Sequence, residues 1–168
     1  MSQQVRLGDL LGSNLVEDFR NFDLTEIQEV LEQLRETDAI DLAHAELLQQ
    51  KALRCADIMA EYLAKMVKTI SYLESQVNSI KNRVSLEYVA PDGARTTVDM
   101  KKWAAESSPD VEQAYIKLGD AKGGKMALDR KYEILIKAHH HFKDIAGGMR
   151  KTILGYSSGT SNAAEGYE

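Results

Sequence analysis

The chain has 168 residues, a net charge of −5, 43% hydrophobic residues and 28% charged ones. That is enough for one ordinary domain with a real core and too little for two comfortable ones. Two prolines, 7% aromatics and a single cysteine, Cys55, point to an α-rich protein and exclude an internal disulfide framework or a cysteine-based zinc site.

A lone thiol fits a reducing compartment. The N-terminus lacks the basic stretch and apolar run of a secretory signal, and no run of about 18 apolar residues is present to span a membrane. A cytoplasmic protein with no membrane contact is expected. The charge is uneven. Residues 1–50 carry three basic and eleven acidic side chains, whereas residues 101–155 carry eleven basic and seven acidic ones. Such a division reads either as solvated helix faces of differing sign or as an acidic arm beside a basic surface that meets a polyanion or an acidic partner.

Residues 1–37 read as an acidic helical arm with two short amphipathic pieces. Ser13 is placed to cap the first. Thr25 and Glu26 open the second, whose Ile27, Val30, Leu31 and Leu34 share one face. Residues 38–154 form the expected core. From Ala52 a seam runs Ala52, Ala56, Met59, Leu63, Met66, Ile70, Leu73, Val77, Ile80 and Val84, in alternating steps of four and three, with no glycine or proline between. The spacing predicts one helix from about 38 to about 86, roughly 70 Å long at 1.5 Å per residue.

A second long helix is predicted from "SSPDVEQA". Ser108 suits the cap, Pro109 the first helical position, and Asp110 and Glu112 the positive end of the helix dipole. Its seam runs from Val111 through Ala114, Leu118, Ala121, Lys125, Leu128, Tyr132, Leu135, His139, Phe142, Ala146 and Met149 to Ile153. The glycines at 123–124 and 147–148 weaken it, and a kink, break or close helix approach is expected at 119–125. Two helices of matched length fold back as a long antiparallel helical hairpin. Residues 155–168, rich in glycine and serine, read as a disordered tail.

Between the helices the pattern changes. "SLEYVA" and "ARTTV" are β-prone and flank Pro91-Asp92-Gly93, so a small β-hairpin insert is expected at about 84–98. Basic residues surround it: Lys81, Arg83, Arg95, Lys101 and Lys102, with Tyr88 and Trp103 interleaved. Lysine and arginine neutralise phosphates, and exposed aromatics stack on unpaired bases. These seven are the candidate DNA-binding residues, for single-stranded DNA without sequence preference. Trp103 reads equally as a stacking residue or as a core side chain beneath the insert.

Two other motifs carry less. "GDAKGGK" at 119–125 matches part of a phosphate-binding loop, but Met126 stands where a magnesium-binding hydroxyl is needed, and the preceding residues read as helix rather than strand. His139, His140 and His141 are consecutive, and consecutive residues on a helix point in different directions, so they cannot chelate one ion. No catalytic residue, metal ligand or cofactor is expected.

The stretch "IKNRVSLEYVAPDG" resembles the central motif of the phage recombination mediators of the UvsY type, in which a long helix ends in an apolar-Lys-x-Arg sequence followed by an aromatic and a glycine-containing turn. Ile80, Lys81, Arg83, Tyr88 and Gly93 carry the likeness. "SPDVEQA" and the basic close "ILIKAHHHFKDIAGGMRK" extend it loosely over residues 45–152, while the acidic arm and the tail depart from the pattern. The resemblance implies a helical, ring-forming homo-oligomer in the host cell cytoplasm. It would bind single-stranded DNA through Lys81 and Arg83, help displace single-strand-binding protein, and load a RecA-like recombinase. The alternative from a different class is a non-enzymatic coiled-coil scaffold or host-directed protein-binding module.

Overall fold

The structure, a computed structural model, describes residues 21–91 and 95–161, with side chains as far as residue 155. Four helices occur among them: α1 (Thr25–Glu36), α2 (Leu42–Glu87), α3 (Val98–Glu106) and α4 (Pro109–Ser161). The mainly α expectation holds. No helix among the described residues is long and apolar enough to cross a membrane. The first amphipathic piece of the arm, after Ser13, lies outside the described residues.

The chain divides into two compact units, with α2 passing between them after Ala60 and α4 after Asp129. In the first unit, α1 buries Ile27, Val30 and Leu31, the three- and four-residue spacing read from the sequence, and Leu34 is half-buried. Two polar contacts fix its direction. Lys51 Nζ donates to Gln33 Oε1 at 2.9 Å, and Arg54 Nε pairs with Glu26 Oε1 at 3.1 Å. Numbers rise along α1 as they fall along α2, so the two run antiparallel. Asp41 caps α2, its Oδ1 accepting from the His44 N–H at 2.8 Å. The N-terminal part of α2 buries Ala45, Leu48, Ala52, Cys55, Ala56 and Met59, and α4 contributes Leu135, Phe142 and Ala146. Arg150 pairs with Glu46, and His139 Nδ1 lies 3.3 Å from the Gln49 carbonyl oxygen, again in antiparallel order.

In the second unit α2 buries Met66, Leu73 and Val77, while α4 buries Val111, Ala114, Leu118, Ala121 and Leu128. Lys122 pairs with Glu74 at 2.8 Å and Arg83 with Asp110 at 3.5 Å, so here too the helices are antiparallel. Phe22 stacks on Tyr62 with ring centroids 4.4 Å apart, and the Tyr62 hydroxyl donates to the Asp23 carbonyl at 3.1 Å. All ten α2 seam residues are buried or half-buried. On α4 the seam holds as far as Met149, and Ile153 is exposed. Half-buried Lys125 keeps its place on the seam by turning its ammonium to Asp129, one helical turn on.

The β-hairpin insert is not formed. Val84–Glu87 are the last turn of α2, the Tyr88 N–H still bonds to the Val84 carbonyl at 3.1 Å, and Val98 opens α3. No strand occurs among the described residues, and 92–94 lie outside them. The reason is cooperativity. An established helix adds a hydrogen bond for every residue it fixes, whereas an isolated two-stranded hairpin is marginal. Ser85, Leu86 and Glu87 contain nothing that stops a helix, so α2 runs on until Pro91 approaches.

Two further expectations are corrected. α4 is helical without interruption across 119–125, so no break occurs there; a Cβ on Gly119 or Gly123 would meet nothing within 4 Å, whereas Gly124 is buried. α4 also continues to Ser161, into the segment from 155 expected to be disordered.

Candidate nucleic-acid interface

The candidate residues gather on the second unit around α3, a nine-residue helix set between the end of α2 and the start of α4. Thr97 caps it: its backbone is extended, and its Oγ1 accepts from the Met100 N–H at 3.3 Å. The Ala90 N–H donates to Thr96 Oγ1 at 3.3 Å, which steadies the entry. At the far end the Ser107 N–H and Oγ both bond to the Trp103 carbonyl, at 3.0 and 2.9 Å. The Ser85 hydroxyl donates to the Lys101 carbonyl at 3.4 Å and ties α3 to α2.

Helical spacing gives α3 two working faces. One carries Val98, Lys101, Lys102 and Ala105. With Glu106 of α3 and with Lys81, Asn82 and Ser85 of α2 these line a groove of about 440 Å³, so three ammonium groups share it with one carboxylate. Three of the five expected basic residues therefore share one wall-to-wall site, and Lys101 and Lys102 have no ion-pair partner among the described residues. Lys81 Nζ sits 4.8 Å from the centroid of the Tyr115 ring on α4, a cation–π contact. That contact holds the ammonium without cancelling its charge.

The other face carries Asp99, Met100, Trp103, Ala104 and Ser107. With Tyr88 they line an open cleft of about 530 Å³. Trp103 is 78% exposed, so its ring is not a core side chain. Tyr88 is half-buried beside it. The two aromatics expected to stack on bases are thus brought to one cleft, and the alternative of a tryptophan packed beneath the insert is overturned.

Arg83 goes elsewhere. Residues two apart on a helix point in nearly opposite directions, so Lys81 and Arg83 cannot act as one clamp. Arg83 pairs with Asp110 and lines a separate polar trough with Ser75, Asn78, Asn82 and Leu86. Both members of that pair are more than half exposed, so the bond is weak and readily exchanged. Asn82 borders both the trough and the lysine groove. Arg95 is exposed and lines neither the groove nor the cleft.

Sequence reasoning missed three participants. Tyr115 lies 34 residues from Lys81, and no local pattern links them. Asp99 and Met100 had a signal that went unread: they stand four and three residues before Trp103, the spacing that places side chains side by side on a helix. The motifs set aside behave accordingly. "GDAKGGK" lies wholly within α4, where its N–H groups are committed to the helix rather than free to cradle phosphate. His139 is half-buried against Gln49, while His140 and His141 are exposed.

Acidic side chains accompany the basic ones. Residues 79–110 contain five of each sign, and one of the acidic ones, Glu106, lines the lysine groove itself, which keeps an excess of three cations over one carboxylate. Comparison with protein-family models, with curated proteins and with solved structures gives no match to this chain.

Proposed function

We propose that the protein binds single-stranded DNA through the α3 end of its second unit and acts, as a ring-forming homo-oligomer, as a recombination mediator. In this role it is non-enzymatic. It helps displace single-strand-binding protein and loads a RecA-like recombinase. One observation carries the DNA part: a single short helix presents Lys101 and Lys102, facing Lys81, on one side and an exposed Trp103 beside Tyr88 on the other. Backbone phosphates need the first kind of surface and unpaired bases the second. The mediator role and the recombinase and single-strand-binding protein partners rest on the likeness at Ile80, Lys81, Arg83, Tyr88 and Gly93. An oligomer repeats a weak, charge-balanced patch around one strand and turns modest affinity into avid binding.

Anisotropy of a labelled mixed-sequence oligonucleotide, titrated at rising salt, tests the reading. Binding should weaken steeply with salt. The Lys81→Ala, Lys101→Ala, Lys102→Ala triple variant should flatten the log–log slope by roughly two, since each phosphate contact on a single strand contributes about 0.7. No binding at low salt would overturn it.

A second reading, a scaffold or host-directed protein-binding module, is favoured by one observation. Leu86, Val89 and Val98 are each at least 78% exposed around the same charge-balanced end. Exposed apolar clusters rimmed by polar residues mark protein contacts. That reading expects a defined protein partner and no salt-dependent DNA affinity.

A further inference from the structure

The lysine groove recognises a backbone that every nucleotide shares, but the opposite cleft has chemistry that distinguishes bases. Tyr88, Trp103 and Met100 line it, and its volume of about 530 Å³ is ample for one base. Asp99 lines the same cleft. It stands one helical turn before Trp103, so the two share a face of α3. It has no ion-pair or hydrogen-bond partner among the described residues, and an ionised carboxylate is an acceptor only. A base stacked on Trp103 must therefore offer it a donor. Cytosine offers its exocyclic N4 amino group. Uracil and thymine offer only N3–H as a donor, flanked on both sides by carbonyl oxygens that an unpaired carboxylate repels, so they pair with Asp99 less well.

We propose that the Tyr88–Trp103 cleft takes a single unpaired base, and that Asp99 selects one carrying an exocyclic amino group, cytosine over uracil or thymine. The proposal rests on the single-stranded DNA reading above and adds a base preference to it. The division of labour follows the two faces of α3. Lys101 and Lys102 hold phosphate on one side, and Asp99, which lines the cleft with Trp103, reads the base edge on the other.

The test compares oligo(dC) with oligo(dU). The two strands share backbone charge and sugar, and their bases differ at the edge in positions 3 and 4. Two readouts run together: anisotropy of the labelled strand for binding, and emission of Trp103, the chain's sole tryptophan, for occupancy of the cleft. Oligo(dC) should bind more tightly by roughly tenfold or more, as one hydrogen bond to a charged acceptor gives, and should quench Trp103 on binding. In Asp99→Asn, whose amide both donates and accepts, the preference should fall to about twofold or less with binding itself retained.

Equal affinities in the unaltered protein would overturn the proposal while leaving DNA binding standing. So would anisotropy that rises without quenching, or a preference that survives Asp99→Asn. Quenching by an arginine-rich peptide and by neither oligonucleotide would make the cleft a protein-docking site and overturn it as well. Flat anisotropy with both strands would remove the DNA reading, and this inference with it.

Discussion

Cys55 shows how one buried side chain records its surroundings. Burial pushes its thiol up from 9.0 to about 11, the neighbouring Glu26 carboxylate adds to the rise, and Arg54 and Lys51 partly oppose it. A folded-state value above the unfolded one means that the native state favours the neutral thiol. The associated stability is full below the ordinary value of 9.0 and is lost as pH rises toward about 11, when the unfolded chain ionises first. Urea midpoints measured across that window should fall with pH, and Cys55→Ala should remove part of the slope while lowering stability overall by leaving a small void. An identical slope in the variant would show that the thiol is not held neutral. Trp103 is the converse case. Its neighbours Lys101, Lys102 and Ala104 leave burial undecided in the sequence, and only the placement of α3 exposes the ring. Arg83 is similar: the Lys-x-Arg spacing looked like one site, but the helical repeat sends its second member to Asp110.

At the scale of elements, the two long helices were legible because their seams repeat over many turns, and each repeat strengthens the same reading. The insert was misread for the opposite reason. Its β-prone stretches are short, and the helices on either side extend into them. The glycines of α4 do not break it, but their cost remains. Gly123 and Gly148 are exposed, lie within the helix, and have nothing within 4 Å of an added Cβ. Gly123→Ala and Gly148→Ala should each stabilise the protein by about 0.5–1 kcal/mol, through helix propensity and a less flexible unfolded chain. Thermal melts of the two single variants measure this. A loss of stability at Gly123 would mean that α4 needs backbone freedom there after all.

For the whole molecule, the balance of five basic and five acidic side chains over 79–110 argues that the proposed DNA affinity comes from repetition of a local groove rather than from net charge. On the proposed reading the oligomer belongs to the mechanism. Light scattering should return a mass that is a multiple of 18.8 kDa, with or without an oligonucleotide. A mass of one chain under both conditions would remove the ring and leave each groove to bind alone.

The sequence by itself determined the helical class, the two seams, the cap and proline that open α4, and the apolar face of α1. These follow from periodicity and local chemistry, which a single chain segment carries complete. Only the tertiary structure decided which candidate residues meet. Lys81 joins Lys101 and Lys102 across a gap of 20 residues, Tyr88 joins Trp103 across 15, and Arg83 is drawn away to Asp110. Those pairings depend on where α2 stops and how α3 docks. Both are settled by competition between helix extension and packing, which no local spacing encodes.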